Sequence, residues 1–337
     1  MYFVASKSDK SSLELAKNVI SSLRENKISY LSGKDMSKAA AKKDLAQADC
    51  ELIIAIGDDR FILETFRHLG KKQTPVFAVA SMQSFLAQAN STNFKHYLGL
   101  IKKNKYKISK RSRLVASFGN AKSPIALNDI GLFSHKSASL LKYSLVLNDE
   151  IFWRDIGDGL VVATPTGSTG YSLSAGGPII LDEPSILTLT PISSMEKHSS
   201  IIVSDAAKIK ITDINGHNPT LIVDGEVRLP VKSKEIIIEK SPYSANLIAF
   251  SKDHSLESRL KKRTVKLDIS KLRNLPASSK FVYSILQHEG SMTQKEIINL
   301  SLLPERTARY ALETLIRKGL VTSQPHFSDA RQTIYTI

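Results

Sequence analysis

Between Thr164 and Pro178 the chain places 15 residues that include four glycines, seven hydroxyl side chains and no charge. Glycine lets backbone N–H groups approach a bound group closely, and hydroxyls donate to phosphate or ribose oxygens. With no carboxylate in the segment, a phosphate meets no repulsion there. Composition alone leaves two readings open, a nucleotide-contacting segment and a solvated loop. No Gly-x-x-x-x-Gly-Lys-Ser/Thr pattern occurs, which excludes a P-loop. Two further clusters could do chemistry. One is the acidic pair in Gly57-Asp58-Asp59-Arg60, directly after the apolar run Leu52–Ile56; the other is the basic set Arg306, Arg309 and Arg317, with Arg331 beyond it.

The elements that must position these groups follow from hydrophobic spacing. Leu52-Ile53-Ile54-Ala55-Ile56 and Pro75-Val76-Phe77-Ala78-Val79 are continuous apolar runs, the mark of strands covered on both faces. Phe61–Phe66 reads as helix, and Leu13, Ala16, Ile20 and Leu23 recur at the spacing of one helix face. Alternating strand and helix predicts a parallel α/β layer over residues 1–112. Ligands of such sheets sit at the carboxyl ends of the strands, which singles out the turn around Asp59. Over residues 113–250, short apolar runs separated by Gly, Pro, Asn and Asp read as an all-β domain. Residues 251–274 form a hydrophilic connection and 275–337 a small, mostly helical module. Lys102, Lys103, Lys105, Lys107, Lys110, Arg111 and Arg113 follow one another with no acid between, which reads as a solvated face, with attraction of a polyphosphate donor or nucleic acid as the other reading.

The segment Thr164-Pro165-Thr166-Gly167-Ser168-Thr169-Gly170-Tyr171-Ser172-Leu173-Ser174-Ala175-Gly176-Gly177-Pro178 resembles the signature of the NAD kinases, in which Ala is usual where Gly170 stands. Asn128-Asp129, Asp158-Gly159 and Asp224-Gly225-Glu226 resemble that family's Asn-Glu/Asp, Asp-Gly and Asp-Gly-Gln motifs in the same order. Leu256–Lys262 is similar to its closing helix, so the resemblance covers residues 1–263. It implies a two-domain fold, α/β followed by a β-sandwich-like domain. It also implies phosphorylation of the 2′-hydroxyl of the adenosine ribose of NAD to give NADP, from ATP or polyphosphate with magnesium or manganese. Asp59 matches the family's proton acceptor. Asn128, Asp129, Asp158, Thr166, Thr169, Gly170, Tyr171, Ser172, Leu173, Ser174 and Glu226 match nucleotide-binding positions, with Gly57 and Arg60 beside the donor.

The match is not uniform. Gly57-Asp58-Asp59-Arg60-Phe61 stands where the family has Gly-Gly-Asp-Gly-Thr. A side chain at either replaced glycine removes positive φ and close backbone contact. Asp58 adds a negative charge beside a polyphosphate, and Arg60 either binds a phosphate oxygen or pairs with Asp58. A catalytically impaired NAD- or NADP-sensing transcription regulator is therefore the alternative expectation.

Near the C-terminus, Thr293-Gln294-Lys295-Glu296 forms a capping box, Pro304 suits a first helical position and Gly319 a helix stop. Ala308, Ala311, Leu312, Leu315 and Ile316 make an apolar stripe, and residues 321–327 and 331–337 read as a hairpin. The module resembles the winged helix-turn-helix of MarR-type regulators, which implies double-stranded DNA as a partner for Arg306, Thr307, Arg309, Tyr310 and Arg331. Charge agrees: the formal net charge is +15, and residues 251–337 carry +7 of it, more than twice the density of the rest. One cysteine, Cys50, excludes an internal disulfide and a cysteine-built metal site, and suits the cytoplasm. No apolar run approaches the roughly 20 residues of a membrane helix, and the N-terminus is too polar for a signal peptide. The expected assembly is a homo-oligomer with no protein-held metal.

Overall fold

In the computed structural model, residues 1–32, 45, 49–82, 84–135, 139–181, 184–250, 275–289, 292–301, 303–326 and 329–336 are described. The similarity noted over Leu256–Lys262 lies outside them. The chain divides into two compact units, Met1–Ser258 and Arg259–Ile337.

In the first unit, the strand Leu52–Gly57 is buried at every position, as its unbroken apolar run requires. It sits inside a sheet whose order is Tyr30–Ser32, Tyr2–Ser6, Leu52–Gly57, Val76–Ala80, Ala245–Ala249 and Lys107–Arg111, with Ala89–Asn90 beside Val76–Ala80. All pairs are parallel except Ala245–Ala249 with Lys107–Arg111. Side-chain alternation sends Ile53, Ala55 and Ala78 to one face, where they pack with Phe61, Ile62 and Phe66 of the helix Asp59–Leu69. Leu52, Ile54, Ile56 and Phe77 go to the other, against the helices Lys10–Glu25 and Phe94–Lys102. On Lys10–Glu25 the buried face is Leu15, Ala16, Val19 and Leu23; Leu13 is exposed, so the expected face is rotated.

Two antiparallel sheets of six strands follow. One runs Glu150–Gly157, Leu141–Leu147, Ile209–Asn215, Ile236–Lys240, Leu114–Phe118, Ala121–Lys122; the other Ile201–Ser204, Ile186–Ile192, Gly159–Ala163, Asp129–Phe133, Thr220–Val223, Val227–Pro230. Their facing apolar residues, among them Tyr143, Leu145, Ile211, Ile130, Val162 and Leu189, share one core, which makes a sandwich. Two details correct the sequence reading. Ala245–Ala249 returns to the parallel sheet, so the β-rich segment ends before it rather than at 250. Arg113 is not part of a solvated face: it is fully buried and donates to the carbonyls of Phe66, Gly70 and Ile125 at 2.7–2.8 Å. It thereby satisfies the C-terminal end of the helix Asp59–Leu69, whose carbonyls have no partner within the helix. Burial pulls its pKa down to about 10, still cationic near neutrality.

The second unit contains helices Ala277–Glu289, Gln294–Ser301 and Glu305–Arg317 and a sheet in the order Met292–Thr293, Asp329–Thr336, Thr322–His326. The capping box forms: Thr293 N–H donates to Glu296 Oε2 at 2.7 Å and Glu296 N–H to Thr293 Oγ1 at 3.4 Å. Val282, Leu286, Ile297, Ala311, Leu312 and Leu315 share its core. Pro304 precedes the helix rather than opening it, Ile316 is exposed, and Gly319 carries the φ of +64° that ends the helix. The second hairpin strand begins at Asp329, two residues before the expected start at 331.

Candidate active site

The strand Leu52–Gly57 delivers its carboxyl end to the helix Asp59–Leu69 through Asp58 alone. A Cβ on Gly57 would stand 2.9 Å from Phe61 Cβ, which restricts that position to glycine. Asp58 is the N-cap, its Oδ1 accepting from Phe61 N–H at 3.0 Å. Its φ of −87° is open to any residue, so the second glycine of the resembled motif is dispensable here. Nor does its charge stand alone, because Lys7 Nζ donates to its Oδ2 at 2.6 Å. Burial pushes the Asp58 carboxyl up, but the Lys7 hydrogen bond and charge and the Phe61 N–H outweigh it, leaving the pKa below the usual value.

Asp59 is half-buried at the first helical position. Its Oδ1 accepts from Ser84 Oγ and from the N–H groups of Phe85 and Leu86 at 3.0 Å; its Oδ2 accepts from Phe85 N–H at 2.8 Å. A carboxylate has about four acceptor positions. Oδ2, with one donor among the described residues, keeps a lone pair for a substrate hydroxyl. Arg60 pairs with Glu226 and not, as one expectation had it, with Asp58.

Across from this turn, Asn128 and Asp129 enter the strand Asp129–Phe133 against the glycine and hydroxyl segment. Thr164 N–H donates to Asn128 O at 2.9 Å, Thr164 Oγ1 donates to Leu127 O at 2.7 Å, and Gly167 N–H donates to Thr164 Oγ1 at 3.1 Å. A Cβ on Gly167 would stand inside the Asn128 carbonyl, which explains glycine there by close approach. Asn128 Oδ1 is buried and takes no hydrogen bond from the described protein. A buried acceptor left so costs roughly 1–3 kcal/mol, and an N–H or O–H of a nucleotide would satisfy it. Burial, then the neighbouring Asp224 charge, pushes the Asp129 carboxyl up to about 7.

Thr166 and Thr169 lie in the short 3₁₀ turn Thr166–Thr169, and Gly170 leads into Tyr171–Ser174. Gly170 lies close to the Asn128–Asp129 pair: a Cβ there would be 3.4 Å from Asp129 Oδ2 and 3.5 Å from Asn128 Nδ2. Ser172 is buried and within 3.0 Å of Thr190 Oγ1, a structural contact; Leu173 is half-buried and Ser174 exposed. Tyr171 is 49% exposed with its ring edge-on to Phe133, centroids 5.7 Å apart. Phe133 pairs with Gly159, so Asp158 belongs to this far end of the strand Gly159–Ala163 and not to the Asn128 end. A dinucleotide, extended by nature, is suited to a site with two ends.

Sequence reasoning missed Arg67. Its side chain is 5% exposed and donates to Asp224 Oδ2 at 2.9 Å and to Glu226 Oε2. Asp224 Oδ1 in turn accepts from Leu127 N–H at 3.0 Å and Asn128 N–H at 2.8 Å. Glu226, expected at the nucleotide, thus stands between Arg60 and Arg67. Nothing in Phe66-Arg67-His68-Leu69 distinguishes a buried arginine from a surface one. Among the described residues no group of three His, Cys, Asp or Glu could hold a metal ion. In the second unit, Arg306, Arg309 and Tyr310 are exposed on one helix, Thr307 is half-buried, and Arg309 pairs with Glu305 at 2.9 Å. Arg331 stands on the last strand, its side chain outside the described residues.

A family model described as ATP-NAD kinase C-terminal domain matches residues 127–250. The NAD kinase of Clostridium botulinum (strain Loch Maree, Type A3) is 34% identical over 209 residues, 59% of this chain and 73% of that protein. The NAD kinase of Methanothermobacter thermautotrophicus is 28% identical over 215 residues, 63% and 76%. The crystal structure of an NAD kinase from Archaeoglobus fulgidus in complex with ATP aligns with a TM-score of 0.64 at 25% identity, covering 74% of this chain and 94% of that one. Yeast NADH kinase complexed with NADH shares the fold, with a TM-score of 0.65 at 23% identity, covering 75% and 84%.

Proposed function

The chain belongs to the NAD kinase family, and is by that membership a kinase, a transferase; we propose that it phosphorylates the 2′-hydroxyl of the adenosine ribose of NAD, giving NADP. In this reading the ribose oxygen attacks the terminal phosphorus of ATP or of a polyphosphate, the bond to the bridging oxygen breaks, and Asp59 takes the hydroxyl proton. Such a transfer is carried mostly by positioning and by charge around the phosphoryl group. Asn128, Asp129, Thr166, Thr169 and Gly170 hold one end of the dinucleotide, with Asp158, Tyr171, Leu173 and Ser174 toward the other. Gly57 and Arg60 lie beside the donor, whose phosphates carry the magnesium or manganese ion. What carries the reading is the lone pair left on Asp59 Oδ2 among the described residues, on the helix whose Arg67 is ion-paired to Asp224, which in turn accepts from Asn128 N–H.

The test is NADP formation from NAD, donor and magnesium or manganese by the purified chain. Activity in the wild type and its loss in Asp59→Asn supports the reading. NAD binding without NADP formation would favour the alternative, a nucleotide sensor.

The second unit is, in the same proposal, a winged helix-turn-helix binding double-stranded DNA through Arg306, Thr307, Arg309, Tyr310 and Arg331. The helix–helix–hairpin order and the exposed basic face support it. The chain is further proposed to be a cytoplasmic homo-oligomer; none of its described helices is long and apolar enough to cross a membrane.

A further inference from the structure

Asp59 and Arg67 occupy one helix eight residues apart, about 12 Å along its axis at 1.5 Å per residue. Arg67 is the only contact through which that helix reaches the Asp224 carboxylate among the ion pairs of the described residues. The guanidinium forks: one nitrogen holds Asp224, whose side chain is wholly buried, and the other holds Glu226. Asp224 sits at a φ of +49° and is followed by Gly225 at +70°, a turn that aims its carboxylate inward. Asp224 Oδ1 gathers the N–H groups of Leu127 and Asn128, and Asp224 N–H donates to Asp129 O at 2.9 Å. Three hydrogen bonds from this one residue therefore fix the backbone on which Asn128 and Asp129 are mounted. Asn128 Oδ1 remains buried without a donor among the described residues.

We propose that Arg67 is a positioning residue for the dinucleotide: acting through Asp224, it locks Asn128 and Asp129 at a set distance from Asp59. This rests on the NAD kinase reading and deepens it by naming what holds recognition and proton acceptor in register. Two features favour arginine. Its planar fork engages both carboxylates at once, which a lysine ammonium on a flexible stem does not. A lone carboxylate buried as Asp224 is would otherwise be costly, so the pair is kept together or lost together.

The experiment is a double-mutant cycle on the full chain, with NAD and magnesium-ATP titrated separately by calorimetry. Arg67→Lys keeps the charge and loses the fork. Asp224→Asn keeps an oxygen for the two amides and loses the attraction for Arg67. Each single change is expected to weaken NAD binding about tenfold, with the pair together no weaker than the worse single, because both cut the same link. Magnesium-ATP affinity is expected to stay within about twofold. Unchanged NAD affinity in Arg67→Lys, multiplied effects in the double variant, or equal losses of NAD and ATP binding would each overturn the role. Should one variant fail to fold, the other single change decides by the same criteria. A wild type that binds no NAD would overturn the underlying reading instead, and this proposal with it.

Discussion

The carboxyls of Asp58 and Asp129 shift in opposite directions because their surroundings differ. Asp58 has Lys7 and an N–H donor, so it is held below the usual range. The stability it contributes is complete above the ordinary carboxylate pKa and is lost as pH falls through its own lower value. Asp129 is the reverse case. Its pKa of about 7 means that folding favours the protonated form, so its contribution is complete in acid and is lost as pH rises through 7. Asp129→Asn is therefore expected to melt several degrees above the wild type at pH 8, with the gap closing by pH 4; calorimetric melting at both values checks it. Asp59→Asn is expected to keep NAD affinity and lower NADP formation by at least about 100-fold, in line with the range for a lost general base. Asp59 was legible because it follows a buried strand of a parallel sheet. Its three backbone and hydroxyl donors from residues 84–86 were not, since Ser84-Phe85-Leu86 carries no sign of folding back onto a carboxylate.

At the scale of elements, the glycine and hydroxyl segment is shaped by the strand beside it. Gly167 presses on the Asn128 carbonyl and Thr164 bonds both Leu127 and Asn128, so a methyl at 167 forces two backbones apart. Gly167→Ala is expected to weaken NAD binding at least tenfold and lower the melting temperature, checked by calorimetry of both; a neutral result would remove the segment from the site. The helix Asp59–Leu69 shows why the second glycine of its turn could be replaced: the backbone at Asp58 is extended, and an N-cap aspartate contributes about 1 kcal/mol there. Continuous apolar runs revealed the parallel strands, and short apolar runs between turn residues revealed an all-β segment, whereas its sandwich arrangement came only from the family resemblance. The return of Ala245–Ala249 to the first sheet was not legible, because a short apolar run says nothing about which sheet it joins. Arg113 and Arg67 escaped notice for one reason: a basic residue in sequence looks solvated, and only a partner remote in the chain takes it inside.

The whole molecule joins a nucleotide site in Met1–Ser258 to a basic helical unit in Arg259–Ile337. The second unit's helix Glu305–Arg317 buries Ala308, Ala311, Leu312 and Leu315 and leaves Arg306, Arg309 and Tyr310 outside. Arg306→Ala is expected to weaken duplex DNA binding in gel shifts at all sequences and to reduce its salt dependence, while NADP formation stays unchanged. Absence of salt-sensitive DNA binding by the wild type would leave the basic face without its proposed partner. The central event proposed for the molecule is a phosphoryl group reaching one sugar hydroxyl. Phosphorus NMR of the purified chain with NAD, ATP and magnesium follows that event directly. A 2′-phosphomonoester signal growing in step with ADP is the result expected; consumption of ATP without it, or an unchanged spectrum despite bound NAD, would contradict the account.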